Sequence, residues 1–349
     1  MTKRGLVISG GGSKGAFAVG ALEYLLADRG LTFDVVAGTS TGSLIAPFVL
    51  TDDLPLLIDL YTSVRQTDIL LGRSVAQSVA LSALFGSVSS IYDSAPLWYM
   101  LNRHLTPARM AILLESGRQL FITAVSLQTA QVVYFFCGPE PVPRTPSDAS
   151  YVLARVSTRE QLASAILASA DEPVFAPPVD IVARGAPTGP YVDGGVRNVF
   201  PARVVIDAGV DELYGIILSP EDDTIPGPYS NVLTILKRTM DLFCDEVASK
   251  DVWSTRLYNS AVKHREMFCQ RLSRPPHSFT PQQIEALLTD PATPDPFREK
   301  RIVKFHLIRP LKALEDVYGI TGLQFEPATM ARMMLDGRQR AREVIEGGG

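Results

Sequence analysis

From the amino terminus, hydrophobic positions fall into short unbroken runs, each ended by glycines and followed by a stretch with helical spacing. Leu6-Val7-Ile8-Ser9 has the pattern of a buried strand and runs into Gly10-Gly11-Gly12-Ser13-Lys14-Gly15. Phe17, Val19, Leu22, Leu25 and Leu26 then recur at helical intervals, with Gly30 placed to cap the helix. A second run, Val35-Val36-Ala37, leads into Gly38-Thr39-Ser40-Thr41-Gly42 and an apolar helix from about Ser43, in which Pro47 predicts a bend or an early end. Strand, glycine turn and helix occurring twice in quick succession predict an α/β fold that starts with parallel strands.

The middle of the chain is less regular. Residues 51–118 read as helical and irregular. Phe121–Leu127 and Val132–Phe136 predict paired strands around a turn at Gln128–Gln131, followed by a Pro-rich loop from Pro139 to Pro146. Arg159–Ala170 predicts a helix, Tyr191-Val192-Asp193 a strand end stopped by Gly194-Gly195, and Leu213–Leu218 a further strand before the turn-rich Pro220–Pro228. The last third is mostly helical. It carries a capping box at Thr280-Pro281-Gln282-Gln283, a late strand over Ile302–Ile308 and a terminal helix over Pro327–Ile345.

Composition narrows the classes. At 349 residues the chain is one large domain with an appendage, or two domains. With 46% hydrophobic residues and a net charge of −4 it is neither disordered nor an electrostatic match for nucleic acid. Its one basic knot, Arg298, Lys300, Arg301 and Lys304, reads as a solvated face. Three cysteines without a Cys-x-x-Cys pair (Cys137, Cys244 and Cys269) point to a reducing compartment. The apolar run behind Met1 is too short for a signal-peptide core, and the uncharged stretches Ser74–Tyr92 and Gln119–Pro139 are too polar to span a bilayer. A soluble, cytoplasmic protein is expected, with export by a specialised secretion route left open. No His, Cys and Asp cluster has metal-ligand spacing, and no cofactor is expected.

The first glycine cluster has two readings. Gly10-x-Gly12-x-x-Gly15 between strand and helix fits a dinucleotide fingerprint, but the acidic residue wanted at the end of the second strand is missing: Asp34 precedes that strand and Ser40 ends it. Lys14 precedes Gly15, which also breaks the phosphate-binding loop of nucleotide triphosphatases. The other reading is an oxyanion hole, in which backbone N–H groups left uncovered by glycine converge on one oxygen at a helix amino terminus. Lys14, a cation in the first turn, either reaches into solvent or holds the loop and attracts an anionic head group.

Gly38-Thr39-Ser40-Thr41-Gly42 is a Gly-x-Ser-x-Gly pentapeptide between strand and helix. In that setting small neighbours allow a strained turn that projects the serine. A serine nucleophile needs a base. Asp193, at a strand end before two glycines, is one candidate. A triad using His264, His277 or His306 is the other, and His104 completes the chain's four histidines.

Together these pieces resemble the patatin-like phospholipases. Gly10-Gly11-Gly12-Ser13-Lys14-Gly15 matches the family's oxyanion loop, Gly38-Thr39-Ser40-Thr41-Gly42 its nucleophile elbow, and Asp193-Gly194-Gly195 its Asp-Gly-Gly/Ala motif. Leu162-Ala163-Ser164-Ala165 through Pro173-Val174-Phe175-Ala176-Pro177-Pro178 looks like the family's Ala-Ser-rich helix and Pro-Phe-Pro turn, departing from it at Asp171-Glu172, where a small apolar residue is usual. The resemblance spans residues 5–220 and implies a three-layer α/β/α catalytic domain with a mainly parallel central sheet, followed by a mostly helical region over 221–349. It implies a lipid acyl hydrolase with a Ser40–Asp193 dyad, oxyanion donors around Gly10 to Gly15, elbow glycines Gly38 and Gly42 and no metal. The implied substrate is a phospholipid or lysophospholipid, met in peripheral contact with a membrane, and the oligomeric state stays open. The uncharged segment Val75–Tyr92 has two readings, a lid or an ordinary buried helix. A nucleotide-binding protein built on the Gly10–Gly15 loop remains the competing class.

Overall fold

Leu6 and Ile8 pack into one hydrophobic layer and Val7 into another, and all three are fully buried. Val36 against Val35 and Ala37, and Ile122 against Phe121, divide in the same way. This is the period-two pattern of a sheet covered on both faces. The computed structural model describes residues 2–72, 90–141, 151–221, 232–289, 297, 301–319 and 322–347. Residues 73–89, most of the uncharged segment, lie outside the described residues, as do parts of the loops after Pro139 and Pro220 and both Arg298 and Lys300.

The strands are β1 (Arg4–Ile8), β2 (Val35–Thr39), β3 (Leu71–Gly72), β4 (Tyr92–Asp93), β5 (Gln119–Ser126), β6 (Val132–Cys137), β7 (Val152–Arg155), β8 (Val179–Asp180), β9 (Pro190–Asp193), β10 (Glu212–Ile216) and β11 (Lys304–Ile308). β3 and β4 pair with each other, and the others form one sheet with the order β11-β10-β1-β2-β5-β6-β7, β9 joining β5 and β8 joining β9. From β11 to β5 every neighbouring pair is parallel, as is β6 with β7. β5 is antiparallel to β6 and β9.

Helices Gly15–Leu22, Thr41–Leu50, Arg159–Ala170 and Pro327–Glu346 supply the layer on one face. Ala202–Asp207 and the long helix Val232–Leu272 supply the other. The fold is therefore a three-layer α/β/α sandwich on a mostly parallel sheet, with a largely helical carboxy-terminal region. That region joins the same sheet: β11 pairs in parallel with β10, Ile308 opposite Ile216. Its terminal helix touches the first helix at the backbone, since a Cβ on Gly20 would sit 1.8 Å from the Met334 carbonyl oxygen, and one on Gly337 1.9 Å from that of Phe17. The first helix widens into a π-helical turn over Glu23–Asp28 before Gly30 reverses the chain at φ 61°. Pro47 is carried inside a helix that ends at Leu50. Thr158 and Gln161 form a second capping box at the start of Arg159–Ala170. Among the described residues no helix is long and apolar enough to cross a membrane.

Candidate active site

β1 lies at the switch point of the sheet, where the order runs outward through β2 and β5 on one side and through β10 and β11 on the other, and ligands of open α/β sheets gather outside the carboxyl ends of such strands. Ser40 follows β2 with φ 55° and ψ −123°, a conformation a non-glycine residue keeps only when its surroundings enforce it. The enforcement is close packing. A Cβ on Gly38 would lie 2.2 Å from the Gly42 carbonyl oxygen, and one on Gly42 2.2 Å from that of Ile8. Neither position admits a side chain. The Ser40 N–H donates to Oγ of buried Ser169 at 3.0 Å, and the Ser43 hydroxyl donates to the Ser40 carbonyl at 2.6 Å. The Ser40 side chain thus stands at the positive end of the Thr41–Leu50 helix.

The register of β5 brings Asp193 to this point. The lower part of β5 pairs with β2, Thr39 opposite Thr123, and its next residue, Ala124, is opposite Asp193 of β9. β9 thus approaches the end of β2 head-on, along the same flank of β5. Gly194 makes the turn over β5, where a Cβ would meet the Thr123 carbonyl oxygen at 2.6 Å. The Asp193 carboxylate accepts the Gly195 N–H at 2.6 Å, and its own N–H donates to the Asp171 carbonyl at 3.1 Å. Burial pushes its pKa up to about 7, while the Gly195 N–H and the Ser40 hydroxyl, which both hydrogen-bond to the ionised form, pull it part of the way back.

The glycine loop closes a third side. Ser9 ties the end of β1 to the end of β10, donating its N–H to Ile216 and accepting the Leu218 N–H on its hydroxyl at 3.1 Å. Gly10 faces the serine, a Cβ there lying 3.0 Å from Ser40 Cβ. Gly12, at φ 57°, passes so close to Gly322 that a Cβ would sit 1.9 Å from its carbonyl oxygen. That oxygen accepts the Ser13 N–H at 2.8 Å, while the Lys14 N–H donates to Gly11 and the Gly15 N–H to the carbonyls of Gly12 and Ser13. Three of the six loop residues therefore use their N–H groups inside the fold. Among the described residues Gly10, Gly11 and Gly12 keep theirs without an acceptor. Lys14 does not reach into solvent. Its ammonium pairs with Glu315, and although burial, the largest single influence, lowers its pKa, the Glu315, Asp241 and Asp245 charges and the Glu315 hydrogen bond together raise it above the ordinary value.

Ser40, Asp193 and the loop line one cavity of about 1170 Å³, open mouth included. Its roof is the long helix Val232–Leu272, held down by a stripe of side chains along one face. Lys237 Nζ lies 3.2 Å from Glu172 and 2.6 Å from Asp241. Burial lowers the Lys237 pKa, but the two carboxylates more than offset this and keep it a cation. Further along, Asp251 accepts the Asn198 amide at 3.1 Å and the Phe200 N–H at 3.0 Å. Cys244 also lines the cavity, yet burial pushes its thiol up to about 12, so it is a neutral group at its 3.6 Å contact with the Gly195 carbonyl and no competing nucleophile. Asp171 accepts the Ser94 hydroxyl on one oxygen at 2.9 Å and leaves the other buried without a partner among the described residues. Burial, with Asp193 and Asp93 adding to it against the Ser94 bond, pushes its pKa up to about 8.

No histidine lines this cavity. His306 sits on β11, stacked on Tyr214 at 4.6 Å, His277 stacks on Phe279, His264 lies on the long helix, and His104 lines a neighbouring apolar pocket. Among the described residues no group of three or more His, Cys, Asp or Glu is placed to hold a metal ion.

A family model described as patatin-like phospholipase matches residues 6–206, more than half of the 349-residue chain. The chain belongs to the patatin-like phospholipase family. The matched span holds the glycine loop, the elbow and Asp193, and it stops short of the roof helix. Membership supports lipid acyl hydrolase activity in general terms. Among solved structures, VipD from Legionella pneumophila is similar at 14% identity and a TM-score of 0.46, over 99% of this chain and 67% of the VipD chain. No curated protein matches the chain in sequence. Sequence reasoning missed Ser169, Gly322, Glu315 and Lys237 as neighbours of the site. It touched Asp171 and Glu172 only as departures from the patatin-like pattern.

Proposed function

We propose that the protein hydrolyses carboxylic esters of phospholipids or lysophospholipids through a Ser40–Asp193 dyad and an acyl-enzyme. The single observation that carries this reading is the meeting of β2 and β9, which sets the Asp193 carboxylate against a serine held in an elbow conformation. Ser40 Oγ attacks the ester carbonyl carbon while its proton passes to Asp193. The negative charge that develops on the carbonyl oxygen is met by the unused N–H groups of Gly11 and Gly12 and by the amino end of the Thr41–Leu50 helix. Collapse expels the alcohol, which takes the proton from Asp193. Water then attacks the acyl-Ser40 ester, giving a proton to Asp193, and collapse releases the fatty acid as Ser40 recovers its proton. A carboxylate with a pKa near 7 suits both directions of transfer.

The nucleotide-binding alternative fits the loop less well. The Ser13 N–H, which a phosphate at the helix end would use, is given to Gly322, and Gly12 lies hard against the same carbonyl.

The test is labelling by a fluorescent fluorophosphonate, comparing wild type with Ser40→Ala and Asp193→Asn after circular dichroism shows all three folded. Wild type is expected to label, Ser40→Ala not at all and Asp193→Asn at least about 1,000-fold more slowly. Fast labelling of Asp193→Asn would remove the dyad, and absence of labelling in folded wild type would remove the activated serine.

A further inference from the structure

A second cavity adjoins the catalytic one and has the opposite character. It encloses about 550 Å³, open mouth included, between the Thr41–Leu50, Leu54–Ser63 and Ala95–His104 helices. Among the described residues its walls are Leu, Ile, Met, Phe and Val carbons almost throughout, with Tyr61 and His104 as its polar members. The Tyr61 hydroxyl is already engaged with Thr41 Oγ1 at 2.6 Å.

The two cavities share four walls: Leu44, Ile69, Leu97 and Phe325 line both. Leu44 follows Ser40 by one helical turn, and Phe48 follows Leu44 by another. The line from the serine into the apolar space therefore runs along one helix face. Phe48 is backed by the Arg109 guanidinium, 5.6 Å from its ring centroid, which pairs in turn with Asp53. On the other side of Ser40 the catalytic cavity is walled by charge: Lys14, Glu172, Lys237 and Asp241.

We infer that this pocket takes the acyl chain carried on Ser40, with the alcohol and head-group end of the ester turned toward the charged wall. The inference rests on the acyl-enzyme reading above and adds to it the direction in which the substrate lies and the residues that measure chain length. A hydrocarbon chain is the one occupant that the covalent attachment delivers to Leu44, and a wall made almost entirely of carbon rejects the polar end. Each methylene drawn from water into the pocket raises kcat/KM by up to about fourfold, until the chain reaches Phe48.

Chain-length profiles on p-nitrophenyl esters from butyrate to hexadecanoate test this, run beside fluorophosphonate labelling on the same protein. Met100 lines the pocket and is only partly buried, so it tolerates change in either direction. In wild type kcat/KM is expected to climb with chain length and then level. Met100→Trp is expected to lower the dodecanoate-to-butyrate ratio at least tenfold, and Met100→Ala to move the levelling point to longer chains. A flat wild-type profile from a protein that labels at Ser40, or a Met100→Trp variant that keeps the wild-type ratio, would overturn the pocket while leaving the dyad in place. Folded wild type that neither labels nor hydrolyses butyrate would overturn the dyad and the pocket together.

Discussion

The two walls of the catalytic cavity are made of different material. The sheet-edge wall, from Gly10 to Asp193, is backbone: glycines packed against carbonyl oxygens at 1.9–2.6 Å from where a Cβ would stand, a strained serine and a short turn after β9. The roof is side chain: Lys237 between Glu172 and Asp241, and, behind the loop, Lys14 on Glu315. Backbone geometry fixes where a reacting atom sits to a fraction of an ångström, which is what chemistry demands. Long charged side chains fix little in space but set the field and polarity of the cleft, which is where substrates of one family differ. The family model accordingly covers the first wall and ends before the roof helix.

The sharpest way to break that division is to put a methyl group into the backbone wall. Gly42→Ala drives a Cβ against the Ile8 carbonyl oxygen, 2.2 Å away, and must separate the elbow from the end of β1 and hence from the oxyanion loop. We expect kcat/KM for a short ester to fall more than about 100-fold. The control Gly72→Ala, whose Cβ meets nothing nearer than 3.6 Å, is expected to leave kcat/KM unchanged. Activity of Gly42→Ala within threefold of wild type would mean that this wall is not held by its glycines.

The roof responds differently. Lys237→Met leaves Glu172 and Asp241 in a part-buried cluster without their cation. Urea unfolding is expected to show a loss of about 3–5 kcal/mol, of which Lys237→Met/Glu172→Gln recovers at least half. Equal losses in the single and double variants would show that packing, not charge, holds the roof.

These differences explain what could be read from sequence. Apolar runs ended by glycine located β1 and β2, the β5–β6 pair was predicted to within two residues, and the Arg159–Ala170 helix has the predicted ends. Each of those signals is local. The elbow and loop were legible for the same reason, because glycine is the residue that a close backbone approach leaves behind. What stayed hidden was non-local. That β9 runs antiparallel into the end of β2 depends on the register of β5, and that Lys237 answers Glu172 depends on where a 41-residue helix docks. Glu172 stood out only as a charge in a usually apolar place, and its partner could not be named from the chain. Lys14 kept two readings until the structure placed Glu315 beside it.

A smaller effect probes the meeting point of the two walls. Asp193 is raised chiefly by burial, to about 7, so its conjugate base forms only above that pH. With Asp193 as the base, kcat/KM is expected to rise about tenfold per pH unit up to near 7 and to level above it. An acid limb with its midpoint near 4, the ordinary range of an aspartate, would mean that the cavity is wet in the working enzyme and that the roof does not seal it.

The smallest expected effect decides between chemistries. Replacing His264, His277 and His306 in turn by Gln is expected to change kcat/KM for a short ester by less than about twofold. His306 is committed to a stack on Tyr214 at the far edge of the sheet and His277 to Phe279, and neither they nor His264 line the cavity that holds Ser40. A histidine base has to lie within hydrogen-bond reach of the serine hydroxyl, directly or through one water, and its removal costs orders of magnitude. His306→Gln is the most informative of the three. Its Nε2 is buried without a partner among the described residues, and burial lowers its pKa, so the ring is neutral and suited to act as a base in everything except position. Retained activity there would separate a neutral histidine in the fold from a histidine at work, and leave proton transfer to the carboxylate that β9 delivers. Loss of activity in that variant with its fold intact would mean that β11 moves toward the site in the working enzyme and that His306, not Asp193, supplies the base.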